Sequence, residues 1–332
     1  MDLQSIIKSR GGAARGTGTD GRSTGSASDD RFVSQEAEAQ GVAARLPQIM
    51  IEASRIAATI IHGVHGRRRA GPGDTFWQFR PYSFNDDASL IDWRRSASSD
   101  HVFVREREWE AAQTFWLWPD LSPSMNFASH LSRQTKRDRA LVLTLAAAEI
   151  LVKAGERVAI LGLMRPTANR NAATRLAETL AANATTPQLA SGLPPAETPS
   201  RFSGLLMVSD FLEPIAEIEE RMAVLGGAGV GGHMIQVLDP AEEVLPYEGR
   251  AEFVGMSNEI RWTAERTETL REAYLAKLEE QRSALRELAR KRAWSFTVHH
   301  TDRPPTEPLL ALITRLQHGD SFAGLGTPGA GA

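Results

Sequence analysis

From residue 114 onward, short continuous apolar runs alternate with helical stretches, and this alternation restricts the fold more than any other feature of the chain. Strands that read as unbroken runs of apolar residues have both faces covered, and strands alternating with helices close as parallel crossovers. The strand candidates are 114–118, 157–163, 204–209, 233–238 and 294–299. Helices are expected over 136–154, 171–183, 214–225, 264–292 and 306–317. The fourth carries Leu270, Tyr274, Leu278, Leu285 and Leu288 on one helical face. The expected fold is α/β, a doubly wound, mostly parallel sheet of Rossmann type over 111–318, with an inserted hairpin near 250–262.

Upstream, the texture differs. Residues 11–30 hold no large apolar side chain, so 1–33 reads as a disordered tail. Helices are expected over 34–44 and 48–62, parted at Leu46-Pro47 because proline disfavours helix in the residue before it, with Gly63 and Gly66 ending the run. The alternating segments 75–80 and 102–107 read as strands of a small β element, so that 34–110 combines N-terminal helices with that element. The tail 319–332 is rich in Gly, Ala and Pro and reads as flexible.

Composition removes several classes of function. The chain of 332 residues has no cysteine, which rules out disulfides, thiolate metal sites and a cysteine nucleophile. A net charge of -3 lacks the basic excess that a nucleic-acid partner requires. The longest apolar run, 140–152, is broken by Thr144 and Glu149 and is shorter than the roughly 20 residues that span a bilayer. With no secretory apolar region near the start, a cytoplasmic protein without a transmembrane segment is expected. The run Gly227-Ala228-Gly229-Val230-Gly231-Gly232 has dinucleotide-loop spacing but lies after a helix and before a strand, the reverse of the required order, and reads as a connection. His299 and His300 point to opposite faces of a strand, so that with Asp302 they cannot easily share one ion. The chain has no Gly-x-x-x-x-Gly-Lys loop, and its Gly-x-Ser-x-Gly match, Gly21-Arg22-Ser23-Thr24-Gly25, falls in the segment read as a tail and not between an apolar strand and a helix, as a nucleophile elbow requires.

The strongest candidate site is Asp120-Leu121-Ser122-Pro123-Ser124, directly after the first strand of the alternating series. Asp, Ser and Pro together also make turns and helix caps. A second carboxylate, Asp210, ends another apolar run, and in a sheet of this class both would reach the crevice beyond the carboxyl ends of the strands. Two hydroxyls, two carboxylates and water meet the oxygen demand of Mg²⁺ or another divalent cation. Two ionised carboxylates held close together also repel unless a cation or a proton intervenes. The pattern resembles the metal-ion-dependent adhesion site of the von Willebrand factor A fold, Asp-x-Ser-x-Ser after the first strand. That resemblance implies Asp120, Ser122, Ser124 and Asp210 as metal ligands, with Thr167 in the place of the family's threonine.

A further resemblance lies upstream, in Arg80-Pro81-Tyr82-Ser83-Phe84-Asn85-Asp86-Asp87, Leu90-Ile91-Asp92-Trp93-Arg94-Arg95-Ser96-Ala97 and Val104-Arg105-Glu106. These spaced blocks resemble the bacterial family DUF 58, from which the chain departs at Asn85, usually glycine, and at Ser98, usually arginine. The resemblance implies a von Willebrand factor A-like domain and a MoxR-type AAA+ ATPase as partner, since the genes of the two often lie side by side. Arg80, Tyr82, Asp86, Asp87, Asp92, Trp93 and Arg94 combine aromatics with opposite charges, which suits a partly buried network of Arg-carboxylate forks or a partner-binding surface. The expected function is a divalent-metal-dependent protein-interaction module, an adaptor or chaperone-like partner of that ATPase. A metal-dependent hydrolase using the same carboxylates is the competing expectation, though no general base can be assigned to it. A degenerate, metal-free binding domain is the third.

Overall fold

The computed structural model describes residues 27–65, 76–83, 88–97, 99, 101–107, 112–254 and 261–317. The chain divides into two compact units, Ile61–Ala112 and the sequence on either side of it.

The larger unit is built on five parallel strands, β3 (Thr114–Pro119), β4 (Arg157–Ile160), β5 (Gly204–Ser209), β6 (Gly231–Leu238) and β9 (Ser295–His300), in the order β4-β3-β5-β6-β9. The apolar runs form these strands because both faces of the sheet are covered, and every residue of β5 and β6 is buried. β4 is shorter than its apolar run because Gly162, at φ +76°, turns the chain. The chain leaves β3 for β4 on one side and later returns to β5 on the other, so the strand order reverses between β3 and β5. The loops after these two strands therefore flank a crevice at the carboxyl edge.

Helix α3 (Lys136–Lys153) lies against the sheet and is buried along most of its length; α4 (Ala172–Ala182), α5 (Pro187–Ala190) and α6 (Ile215–Leu225) follow it in the chain. Onto it packs α1 (Ala27–His65), through Arg45 to Asp138 at 3.0 Å, Ser54 to Glu149 at 2.7 Å and Gln134 to Glu52 at 2.9 Å. Here the structure corrects the sequence reading. In place of two helices parted at Pro47 there is one, and it includes residues 27–33, assigned above to a disordered tail. Val42, Leu46, Ile49, Ala53, Ile56 and Ile60 are all buried at helical spacing, so the apolar stripe continues across the proline. Pro47 and Ala43 lie on the exposed face, where water reaches the carbonyl left without a helical donor. As far as Ile60 this helix belongs with the sheet, instead of with the small β element with which the sequence groups it.

The glycine run is more than a connection. Gly231 and Gly232 begin β6, and a Cβ on Gly232 would overlap the indole of Trp294. Gly204 is matched in the same way to the Phe115 ring. The hairpin expected near 250–262 is the antiparallel pair β7 (Ala251–Val254) and β8 (Arg261–Ala264), a sheet of its own. Phe253 and Ala264 are buried with Tyr274 and Leu278 of α8 (Thr267–Lys291).

In the smaller unit, β1 (Phe76–Pro81) pairs antiparallel with β2 (Phe103–Arg107), and the one-turn helix α2 (Trp93–Ser96) lies between them in sequence.

Candidate functional site

Asp120 follows β3 and Asp210 follows β5, and these strands are neighbours, with Asp120 N donating to the Val208 carbonyl at 2.8 Å. Both carboxylates are buried. Asp120 Oδ1 accepts from Ser122 N at 2.8 Å and Oδ2 from Ser209 Oγ at 2.7 Å, while Ser122 Oγ and Ser124 Oγ lie 3.1 Å apart. Leu121 N donates to the Leu189 carbonyl and Arg137 Nη2 to the Leu121 carbonyl, both at 2.7 Å, so the loop is held from two sides. Burial, and then the Asp210 carboxylate beside it, push the Asp120 carboxyl up to about 7.

The group that the sequence reading missed is Lys136, the first residue of α3. Its side chain is only 1% exposed, and its ammonium donates to Asp210 Oδ2 at 2.8 Å and to Glu242 Oε1 at 3.0 Å. The Phe127 ring lies 6.0 Å from Nζ. Burial alone would lower the lysine, but Asp210 and Glu242 outweigh it and hold the ammonium above the ordinary lysine range, so it stays charged. Glu242 also accepts from Asp239 N at 2.9 Å, forming with Asp239 a reciprocal cap on α7 (Pro240–Val244). Asp239 further accepts from the backbone and hydroxyl of Ser129, which ties the loop before α3 to the end of β6.

Of the five candidate ligands, Asp120, Ser122, Ser124 and Asp210 converge and Thr167 does not. Thr167 forms an antiparallel bridge to Val158, which is level with Phe115, five residues ahead of Asp120 along β3. Its hydroxyl accepts from Asn169 N at 3.3 Å. Asp210 already carries Leu212 N on Oδ1 at 3.2 Å and the ammonium on Oδ2. A divalent ion on this carboxylate would face the ammonium at about 4 Å, a repulsion of about 8 kcal/mol at an effective dielectric of about 20. The residues present therefore do not fit a metal beside Lys136.

Only part of the upstream signature lies among the described residues. Asp92 caps α2, its Oδ1 accepting from Arg95 N at 2.9 Å. Arg95 lies over the Phe79 and Phe103 rings, at 5.6 and 5.8 Å. Tyr82 N donates to the Val102 carbonyl at 2.8 Å, and Arg80 pairs with Val104 in the ladder. Trp93 and Arg94 are exposed, Trp93 at 67%. Asp86 and Asp87 lie outside the described residues. Among the described residues, Arg95 stacks on the aromatic rings of this element and Asp92 acts as a helix cap.

His299 and His300 separate as strand alternation requires. His299 is buried, and burial pushes it down to about 3, whereas His300 Nε2 lies 3.1 Å from Glu243.

These features define a class, a parallel α/β domain with a buried charge cluster at its topological switch point. Residues 78–284 match the family model described as Protein of unknown function DUF58, and the chain belongs to that family. It is similar to uncharacterized proteins of Mycobacterium tuberculosis and Mycobacterium bovis, each 30% identical over 208 residues, or 57% of this chain and 63% of theirs. The matched region thus spans less than two thirds of the length of these relatives. Among solved structures, the conserved hypothetical protein BatB from Bacteroides thetaiotaomicron aligns with 63% of this chain and 100% of its own, at 13% identity and a TM-score of 0.36. No helix of the described residues is long and apolar enough to cross a membrane.

Proposed function

We propose that the chain is a non-catalytic protein-interaction module of von Willebrand factor A-like type that presents the loops at the carboxyl edge of its sheet to a partner. One observation carries the reading: the buried charged groups at the switch point are bonded to other groups of the chain. Asp120 is held by Ser122 and Ser209, Asp210 and Glu242 by Lys136, and Asp239 by Ser129 and Ala241. A hydrolytic site requires a base or a nucleophile left free to act, whereas this cluster uses its polar groups to hold the loops in one shape. What the edge offers outward is half-exposed Ser124, exposed His130 and Arg133, and Leu131 at 42% exposure. A rigid loop bearing an apolar side chain among polar ones suits protein recognition.

The class of partner rests on the DUF 58 resemblance, which points to a MoxR-type AAA+ ATPase. Metal dependence is left out of this reading because Lys136 already holds Asp210. The test is capture of a purified MoxR-type ATPase from the same genome by wild type, Leu131→Asp and Ser124→Arg, with folding checked by circular dichroism. Retention by wild type and loss in both variants is expected. Equal capture by all three would remove the carboxyl edge as the contact surface, and phosphoester or peptide turnover lost in Asp120→Asn would remove the non-catalytic reading.

A further inference from the structure

We infer that Lys136 is the resident cation of the switch-point crevice, a tethered ammonium standing where the Asp-x-Ser-x-Ser pattern would otherwise recruit a divalent ion. Asp210 and Glu242 then have a cation between them without metal, and a divalent-cation site opens only when the lysine is removed. The inference goes beyond the binding reading and does not depend on it.

Three observations converge. The ammonium contacts two carboxylates of different loops, Asp210 after β5 and Glu242 in α7, and is screened from water on both. It is anchored at its other end, since Lys136 N donates to the Phe127 carbonyl at 3.1 Å and α3 is capped one residue earlier by Thr135. The neighbouring cations have other bonds: Arg137 reaches the Leu121 carbonyl at 2.7 Å and Arg139 the Thr301 carbonyl at 2.8 Å. Removing the Lys136 side chain would leave a space faced by Asp210 Oδ2 and Glu242 Oε1, with the Asp120 carboxyl next to Asp210. Carboxylate oxygens around a small space are what a hard divalent ion requires.

The experiment titrates Mn²⁺ into the metal-free full chain of wild type, Lys136→Ala, Lys136→Met, Asp120→Asn and Lys136→Ala/Asp210→Asn. It follows binding by calorimetry and electron paramagnetic resonance, and melting by circular dichroism. Wild type is expected to melt at the same temperature in chelator and in Mn²⁺. Lys136→Ala should take up one Mn²⁺ at least about 100-fold more tightly than wild type, the part of the repulsion that survives screening. The added Asp210→Asn should abolish that uptake. If Lys136→Ala folds only with Mn²⁺, recovery of its circular dichroism is the same supporting result. Stoichiometric Mn²⁺ binding by wild type that Asp120→Asn abolishes overturns the inference. So does a Lys136→Ala chain that gains no Mn²⁺, whether folded or unfolded.

Discussion

Replacing Lys136 by methionine keeps nearly the same volume and removes only the charge and its donors, so it isolates the electrostatics of the crevice. The ammonium makes two charge-assisted hydrogen bonds, at 2.8 and 3.0 Å, with partners whose side chains are 4% and 2% exposed. Breaking a buried pair by removing one partner costs about 3–5 kcal/mol, chiefly because the remaining carboxylates are left uncompensated. A unit of this size would melt about 10 °C lower or more at such a cost. If the loss comes from orphaned charge, it is largely reversed in the triple variant Lys136→Met/Asp210→Asn/Glu242→Gln, since neutral or apolar replacement of a whole buried ion cluster is often neutral or stabilising. Guanidinium unfolding at pH 7 in chelator, monitored by tryptophan fluorescence, gives both differences, provided the denaturant slope is unchanged. A loss below about 1 kcal/mol in the single variant, or a triple variant no more stable than the single one, would refute the argument.

Three further outcomes follow from the same geometry. Burial, with Arg315 nearby, pushes His233 from 6.5 down to about 4, so between these values the unfolded chain holds a proton that the folded chain does not. His233 should therefore contribute a fall of about 3 kcal/mol as pH falls through that window; because His299, lowered, and Asp120, raised, titrate there in both chains, the test is the difference in urea unfolding from pH 7 to 4 between wild type and His233→Gln, and equal slopes in the two would count against it. Gly232→Ala places a methyl group against the Trp294 indole and should cost about 1–3 kcal/mol, so an unchanged denaturation midpoint would contradict the packing described for β6. Thr167→Ala removes a hydroxyl remote from Asp120 and should change stability by less than about 0.5 kcal/mol and leave ATPase capture intact; loss of capture would place Thr167 back in the site.

The strands were legible because burial on both faces writes itself into the sequence as unbroken apolar runs, and these locate β3, β5 and β6 to within a residue or two. The meeting of Asp120 with Asp210 was legible for the same reason, since both follow such runs and the strand order reverses between them. The course of α1 was not. A local rule, that proline disfavours helix before it, was overridden by a tertiary cause, the continuous stripe buried on α3. Thr167 was misplaced because the segment after β4 turns at Gly162 and folds back to bridge Val158, and nothing in its composition announces the return.

Lys136 is the more instructive miss, because the charge argument that led to a metal applies equally to a cation carried by the chain, which the sequence reading did not weigh. Two adjacent carboxylates do require a positive charge or a proton, and the chain supplies the charge sixteen residues after Asp120, at the start of a helix. A signal was present in the sequence. Lys136, Arg137 and Arg139 crowd three cations into the first turn of α3, the end at which the helix dipole disfavours positive charge. Exposed side chains would gain nothing from that position. All three are buried instead, and each reaches an oxygen at the carboxyl edge: Lys136 the Asp210 and Glu242 carboxylates, Arg137 the Leu121 carbonyl and Arg139 the Thr301 carbonyl. A basic first turn directly after an Asp-x-Ser-x-Ser loop is thus readable as a sign that the helix brings its own cations to the crevice, and in a related chain that lacks the lysine the same loop should depend on a metal.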